Sequence, residues 1–442
     1  MTQNRNPATA LPMRYLLVVL LFLLSSVAYL DRTNISIAGI QIGHEYAIDN
    51  THLGWIFSAF LIGYAVFQVP AGLLAHRFGS RRLLTFAVVW WGIFTVLTTL
   101  VPPSISNAVA ILILVRFALG AGEATMYPAA SQFVERWFPV PERGKANGII
   151  FGGVGVGSGF TPPIVTAIIL RFGWRASFWF SALCGIVAGI VWYLAARDTP
   201  EEHPRVRERE LALIRAGRGG EYTTSAAKRS VPWRRIFSSK EILALTLSYL
   251  AFGYVAWVFF GWFFIYLAQA RRLNLKTSAL YSVLPFIGMT IGAMGGGIAS
   301  DWLAQRFSLR TGRCILPFFA MAITSVLLIA GSRAEQASTA GIVLALGAGV
   351  LYIAQSCFWA ITADFAGEYA GLASGIMNMG AQIGGAVATS LTPFLAARIG
   401  WHMAFFTAAA LAVVGALSWL LVDPTQSLAS HASIPEPTLQ RN

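Results

Sequence analysis

The pentapeptide Arg171-Phe172-Gly173-Trp174-Arg175 returns 227 residues later as Arg398-Ile399-Gly400-Trp401-His402. Each copy opens an apolar run, 175–196 and 401–422, long enough to cross a hydrocarbon core as a helix. The same offset pairs Gly148 with Gly375, and an offset of 225 sets Gly72-Leu73-Leu74-Ala75-His76 against Gly297-Ile298-Ala299-Ser300-Asp301. A period of about half the chain predicts two copies of one larger unit. Parallel repeats of this kind suit alternating access, in which two halves rock about a site near the bilayer midplane.

Working outward from the repeat, apolar runs fall at 13–42, 52–76, 82–101, 108–133, 145–170 and 175–196, then at 241–269, 277–304, 312–331, 338–364, 370–397 and 401–422. The 442 residues are 56% hydrophobic with a mean hydropathy of +0.64, an apolar surplus that a water-facing surface could not cover. The expected fold class is an all-α membrane protein of twelve transmembrane helices in two pseudo-symmetric six-helix bundles. The expected organisation is an N-terminal bundle over 1–196, a linker over 197–240, a C-terminal bundle over 241–422 and a tail over 423–442.

The linker holds eleven of the Arg and Lys residues, and further basic clusters occur at His76-Arg77 with Arg81-Arg82, at Arg136 with Arg143 and Lys145, and at Arg306 with Arg310 and Arg313. Loops of that composition stay on the cytoplasmic side, and an even number of spans puts both termini there as well. Arg271, Arg272 and Lys276 break the pattern, in a loop expected outside. The formal charge of +13 therefore reflects cytoplasmic loops and not a nucleic-acid surface.

Other function classes lose ground on the same residues. Arg5 and Arg14 precede the apolar stretch 15–24 as in a signal peptide, yet no small-residue cleavage site follows, so the stretch is read as the first span, retained. Cys184, Cys314 and Cys357 lack metal-type spacing and read as packing residues. The glycine-rich stretches 152–159 and 292–297 lie inside apolar spans without the strand and Lys context of a nucleotide loop, and serve close helix packing. No nucleophile, base and orienting group occur together, so an enzyme is not expected, and neither is a metal or a cofactor.

Ionisable residues inside the apolar runs are the strongest functional signal, because an ion at membrane depth costs several kcal/mol unless paired or wetted. They are Asp31 and Arg32 in the first run, and Arg116 and Glu123 in the fourth. Arg116 and Glu123 are seven residues apart, two helical turns, so they share a face with Gly120 and Tyr127. Asp31 and Glu123 are the candidate proton carriers. Arg32 and Arg116 offer a planar fork of donors matched to a carboxylate, and are the candidate anion receptors. A structural alternative has the four residues pair and staple span one to span four. The second half offers no central charge but Tyr254, Trp257 and Trp262, then Gln355, Ser356 and Trp359, then Asn378 with Gln382 at helical spacing, a set suited to hydroxyls and an uncharged ligand face.

Over almost its whole length the chain resembles the major facilitator superfamily, and within it the anion:cation symporters. The segment 72–82, with Gly72, Arg77, Gly79 and Arg81, is similar to the superfamily's signature gating loop, with His76 where Asp is usual; the second copy keeps its acid as Asp301. The subfamily resemblance rests on Tyr29-Leu30-Asp31-Arg32-Thr33-Asn34-Ile35, on Gly63-Tyr64 with Gln68-Val69-Pro70-Ala71-Gly72, on 116–128 with Gly122-Glu123-Ala124, and on Trp137-Phe138-Pro139 with Glu142-Arg143-Gly144. It implies proton sites at Asp31 and Glu123, a substrate carboxylate held by Arg32, Arg116, Tyr29 and Tyr64, and contacts from Gln355, Ser356, Trp359 and Asn378.

The expected function is a proton-coupled symporter that imports a small organic anion by alternating access, a sugar acid such as galactonate or a hexuronate. Its partners would be that anion, protons and the lipid bilayer. The alternatives are an aromatic, phthalate-like carboxylate as cargo, or a transporter-like sensor that binds without flux. The expected setting is the inner membrane, as a monomer.

Overall fold

The computed structural model describes residues 12–139, 142–217, 238–366 and 370–425, which are helical in all their long runs and contain no strand among them. The first helices are α1 (Met13–Glu45), α2 (Asn50–Phe78), α3 (Ser80–Leu100), α4 (Ala108–Glu123), α5 (Met126–Trp137), α6 (Arg143–Phe172) and α7 (Trp174–Ala195). A short helix α8 (Glu208–Gly217) follows in the linker, and then α9 (Lys240–Trp257), α10 (Leu275–Arg306), α11 (Leu316–Arg333), α12 (Ala337–Ala366), α13 (Ala370–Arg398) and α14 (Trp401–Ser418). Among the described residues, eleven helical stretches are long and apolar enough to cross a membrane. Helix α13 has the length, 29 residues, but Gly, Ser, Thr, Asn and Gln dilute its apolarity. The chain is thus an all-α, multi-pass membrane protein.

Most helix ends fall within a few residues of those read from hydropathy. Span four departs from the continuous helix expected over 108–133: it divides into α4 and α5 at Ala124 and Thr125, directly after Glu123. Pro128 is the cause, since it has no N–H to give the Ala124 carbonyl and its ring crowds that oxygen. Span seven, helical over Lys240–Ala270, also departs from a plain α-helix. After α9 it runs through π-turns at Val258–Trp262 and Tyr266–Ala270, separated by one α-turn at Phe263–Ile265.

The repeated pentapeptide is a tight turn between two spans. Gly173 and Gly400 take φ of 80° and 100°, left-handed values that favour a residue without Cβ. The Gly173 N–H closes α6 on the Ile169 carbonyl at 3.0 Å, and the Gly400 N–H closes α13 on Leu395 at 3.1 Å. At the other kind of boundary, the Asp49 carboxylate starts α2 by accepting the His52 N–H at 2.9 Å.

The chain forms two compact units. The first comprises Met1–Arg229, Trp257–Ile287 and Ala386–Trp401. In it α1 packs along α6, α2 along α4 and α3 along α7. The α2/α4 contact is so close that a Cβ on Gly63 would lie 2.1 Å from the Phe117 carbonyl oxygen, and one on Gly120 would lie 2.0 Å from that of Phe60. Two apolar cores fill this unit, one around Trp91, Phe133, Trp137 and Trp192 and one around Phe57, Trp174, Phe178 and Trp262. The second unit comprises Ser230–Ala256, Gly288–Gly385 and His402–Asn442. There α10 meets α12 with the same intimacy, the Gly349 carbonyl oxygen lying 2.0 Å from where a Cβ on Gly292 would stand. The pairing of spans two and four therefore recurs as a pairing of spans eight and ten, as the sequence repeat demands.

A buried charge cluster as candidate functional site

Spans one and four bring four intramembrane charges into one place. Asp31 and Arg32 of α1 and Arg116 and Glu123 of α4 are 1%, 4%, 1% and 0% exposed. Arg32 Nε donates to Glu123 Oε2 at 2.6 Å, a buried ion pair joining span one to span four. The Arg32 guanidinium carbon also lies 4.7 Å from the ring centre of Tyr29, 4.8 Å from Tyr64 and 5.4 Å from Phe60. Such a cage of ring faces holds the guanidinium by cation–π attraction and fixes its plane.

Arg116 is placed differently. Its guanidinium carbon stands 5.0 Å from the Phe60 ring, and it lies in the Coulomb field of Asp31 and Glu123. Asp31 Oδ1 accepts the Thr95 hydroxyl at 3.1 Å. Five buried polar atoms of the cluster have no hydrogen-bond partner: Asp31 Oδ2, Arg32 Nη2, Arg116 Nε and Nη1, and Glu123 Oε1. Each such atom costs about 1–3 kcal/mol, so the cluster stores recognition capacity at the expense of stability. Beside it, Tyr127 shares a hydrogen bond with Ser25 at 3.0 Å and stacks on Phe151 at 5.0 Å.

The sequence reading placed Arg116 and Glu123 on one face and singled out Asp31 and Arg32 as the other intramembrane charges, and the structure brings the four together with Tyr29 and Tyr64. It did not find Phe60, the ring between the two arginines, or Thr95, the donor to Asp31. An uncharged residue in an apolar run gives no signal of that kind. The stapling alternative is realised for one pair, Arg32 with Glu123, and not as a hydrogen bond for Asp31 and Arg116 among the described residues.

In the second unit Gln355 is engaged with Tyr249, whose hydroxyl lies 3.0 Å from Nε2 and 3.2 Å from Oε1. Ser356 donates to the Ala293 carbonyl at 2.7 Å, tying α12 to α10. Trp359 and Asn378 are half-buried on α12 and α13, and Gln382 Oε1 is buried without a partner. Tyr254 is buried in the second unit, while Trp262 is buried in the first and donates to the Thr389 carbonyl at 3.1 Å.

The signature-like segment forms the end of α2 and the start of α3. Arg77 is exposed, and the surroundings of Gly72 and His76 lie outside the described residues. Gly79 takes φ 78° against the Asp198 carboxylate, whose Oδ1 accepts the Arg81 N–H at 2.8 Å, while Arg81 Nε donates to the Tyr193 carbonyl at 2.9 Å. Asp198, absent from the sequence reading, thus supplies an acid at the N-terminus of α3. In the second copy Asp301 pairs with Arg313 at 2.7 Å, and the same Nη1 reaches Ser300 Oγ at 2.7 Å.

Membrane-spanning helices of the first unit thus bury a balanced set of two acids and two arginines. The chain belongs to the Major Facilitator Superfamily, whose family model matches residues 21–389 and again 360–439. It is 33% identical over 413 residues to the probable sulfoacetate transporter SauU of Cupriavidus necator, covering 93% of this chain and 94% of that one. It is 30% identical to the probable galactarate/D-glucarate transporter GudP of Escherichia coli (92% and 93% covered) and 28% identical to the hexuronate transporter of Bacillus subtilis (91% and 92%). Among solved structures it is similar to a bacterial homologue of the human lysosomal transporter Spinster, with a TM-score of 0.74 at 17% identity over 93% of this chain and 97% of that one. A D-xylose-proton symporter matches with a TM-score of 0.71 at 16% identity, over 94% and 100%; both likenesses concern the fold. The protein is a transporter of this superfamily.

Proposed function

We propose that the protein is a proton-coupled symporter that imports a small organic anion by alternating access, with a sugar acid such as galactonate or a hexuronate as cargo. The observation that carries this reading is the buried, balanced cluster: two acids, two arginines and five polar atoms without partners. With all four groups ionised its net charge is zero, so an arriving carboxylate leaves a surplus negative charge in a low-dielectric setting. A proton taken by one of the acids restores neutrality, which couples the two fluxes.

Glu123 and Arg32 are the switch. While Glu123 is ionised it holds Arg32 at 2.6 Å; once protonated it loses the charge that holds the guanidinium, which is then available to a cargo carboxylate. Arg116, with Nε and Nη1 unspent, is the second donor to that carboxylate, and Asp31 beside it is the second proton site. Tyr29 and Tyr64 orient Arg32 through their ring faces. Gln355, Ser356, Trp359 and Asn378 are assigned to the uncharged end of the cargo, and Gly72, Arg77, Gly79, Arg81 and Asp301 to gating. The setting is the inner membrane, with the basic loops and both termini in the cytoplasm, as a monomer.

A second reading of the cargo, a short sulfonate carboxylate, is favoured by the relative named for sulfoacetate. Uptake of labelled galactonate into proteoliposomes under an inward proton gradient, challenged with hexuronate, galactarate, sulfoacetate and phthalate, separates these cargoes. Gradient-driven uptake is expected to disappear in Asp31→Asn and in Glu123→Gln; proton-dependent uptake that survives Glu123→Gln removes that residue from the mechanism. Specific binding of these acids with no flux favours the sensor.

A further inference from the structure

Helix α3 carries threonines at 85, 95, 98 and 99. Three of them spend the hydroxyl on a carbonyl of their own preceding turn: Thr85 on Arg81 at 2.9 Å, Thr98 on Phe94 at 2.9 Å and Thr99 on Val96 at 2.7 Å. That is the ordinary fate of a threonine in a helix. Thr95 departs from it, reaching instead across to Asp31 Oδ1 at 3.1 Å, with the hydroxyl-bearing residue 0% exposed. The other carboxylate oxygen, Oδ2, has no partner.

We propose that Thr95 is a positioning residue for proton loading at Asp31: its hydroxyl engages Oδ1, leaves Oδ2 as the oxygen that takes the proton, and sets the pH at which loading occurs. The inference rests on reading Asp31 as a proton site. In the loading step a proton arriving from water forms an O–H bond at Oδ2, and the Thr95 bond passes from a carboxylate oxygen to the carbonyl oxygen of the neutral acid. The O–H bond of the hydronium ion that delivers the proton breaks and leaves water, and no other bond changes. A hydroxyl donor binds the ionised oxygen more strongly than the neutral one, so the bond favours the unloaded state and opposes premature protonation.

The charged groups coupled to Asp31 are Arg116 and Glu123 from α4 and Arg32 on its own helix. Helices α2, α5, α6 and α7 and the turns at Val258–Ile265 also pack on α1; the titratable side chains they bring to the cluster are Tyr64 of α2 and Tyr127 of α5. All of these partners stay in place when Thr95 is changed to its isostere valine, so a change in loading is assignable to the hydroxyl.

The test is an infrared pH titration of the full-length protein in lipid, following the carboxylic-acid carbonyl band that disappears in Asp31→Asn. In Thr95→Val the midpoint of that band is expected to rise by about one pH unit, the loss of one hydrogen bond to a charged group, and in Thr95→Ser to return to the wild-type value. Thr95→Ala carries the same expectation as valine should valine fail to insert. A midpoint unmoved in a folded valine or alanine variant, or no band that depends on Asp31, overturns the proposal. Uptake on the same preparations keeps the two readings apart: a shifted band with proton-independent uptake sinks the coupling and leaves Thr95 its role, and an unshifted band with proton-driven uptake does the reverse.

Discussion

Arg32 and Arg116 carry the same charge in the same cluster, yet their surroundings give them different work. Arg32 has a carboxylate at 2.6 Å and three ring faces around it, so its plane is fixed and its charge is compensated. Lysine keeps the charge but has neither fork nor plane. Arg32→Lys is therefore expected to raise the KM for cargo about tenfold or more, equivalent to about 1.4 kcal/mol, with the protein still folded. Arg116 balances Asp31 through the Coulomb field and not through a hydrogen bond. Removing one partner leaves an uncompensated buried charge, at a cost of about 3–5 kcal/mol. Arg116→Gln alone should lower the melting temperature sharply, and adding Asp31→Asn should recover part of it; strict additivity in that cycle would show the two charges to be uncoupled. At this scale the sequence was legible where an ion interrupted an apolar run. It was mute at Thr95 and Phe60, because a threonine or phenylalanine in a membrane helix looks the same whether it serves a carboxylate, a guanidinium or only packing.

Helices deliver these side chains through contacts that admit no Cβ. Gly63 and Gly120 let α2 and α4 touch backbone to backbone, which seats Phe60 and Tyr64 beside Arg32 and Arg116. Gly120→Val should cost more than the 1–3 kcal/mol of ordinary overpacking, because the obstacle is a main-chain carbonyl and not a flexible side chain. The expected readout is lost thermal stability together with lost binding, whereas Gly148→Ala, where a Cβ would meet nothing within 4 Å, should be tolerated. The linker obeys local chemistry of its own. His203 Nδ1 accepts the Arg205 N–H at 3.1 Å, so Nε2 carries the proton it gives to the Ala195 carbonyl at 3.0 Å. Burial holds the imidazole below its usual proton affinity, so the folded linker binds fewer protons than the unfolded one. Its contribution to stability is full above about pH 6.5 and is lost as the pH falls through the lowered value. Proteolysis of the linker should accelerate on acidification, and His203→Gln should flatten that dependence. Helix positions were readable from hydropathy because lipid permits few alternatives; the break after Glu123 follows from Pro128 and is invisible to hydropathy alone, whereas the π-turn at Val258–Trp262 carries no such residue signal.

Two features of the whole molecule, the duplication and the charge asymmetry of its loops, bear on its orientation in the bilayer. The duplication was legible from one pentapeptide because its glycines must take left-handed φ in both copies, a constraint that survives when the rest of the repeat has diverged. Orientation follows from the basic loops, except at 271–276, where Arg271, Arg272 and Lys276 cluster on the side expected to face outward. The Arg271 guanidinium is partly spent at home, Nε donating to the Tyr266 hydroxyl at 2.6 Å, which softens that exception. The positive-inside bias counts the linker's eleven basic residues more heavily than these three. With Cys184, Cys314 and Cys357 replaced, a cysteine at Glu202 should react with a membrane-impermeant maleimide only after the cells are opened, and one at Lys276 should react in intact cells. Among the described residues one stretch long and apolar enough to cross the membrane, Lys240–Ala270, separates the two positions. Labelling of both from the same side would mean that this stretch, with its two π-turns, does not cross, and exchanged sides would invert the orientation and with it the direction of proton-driven flux.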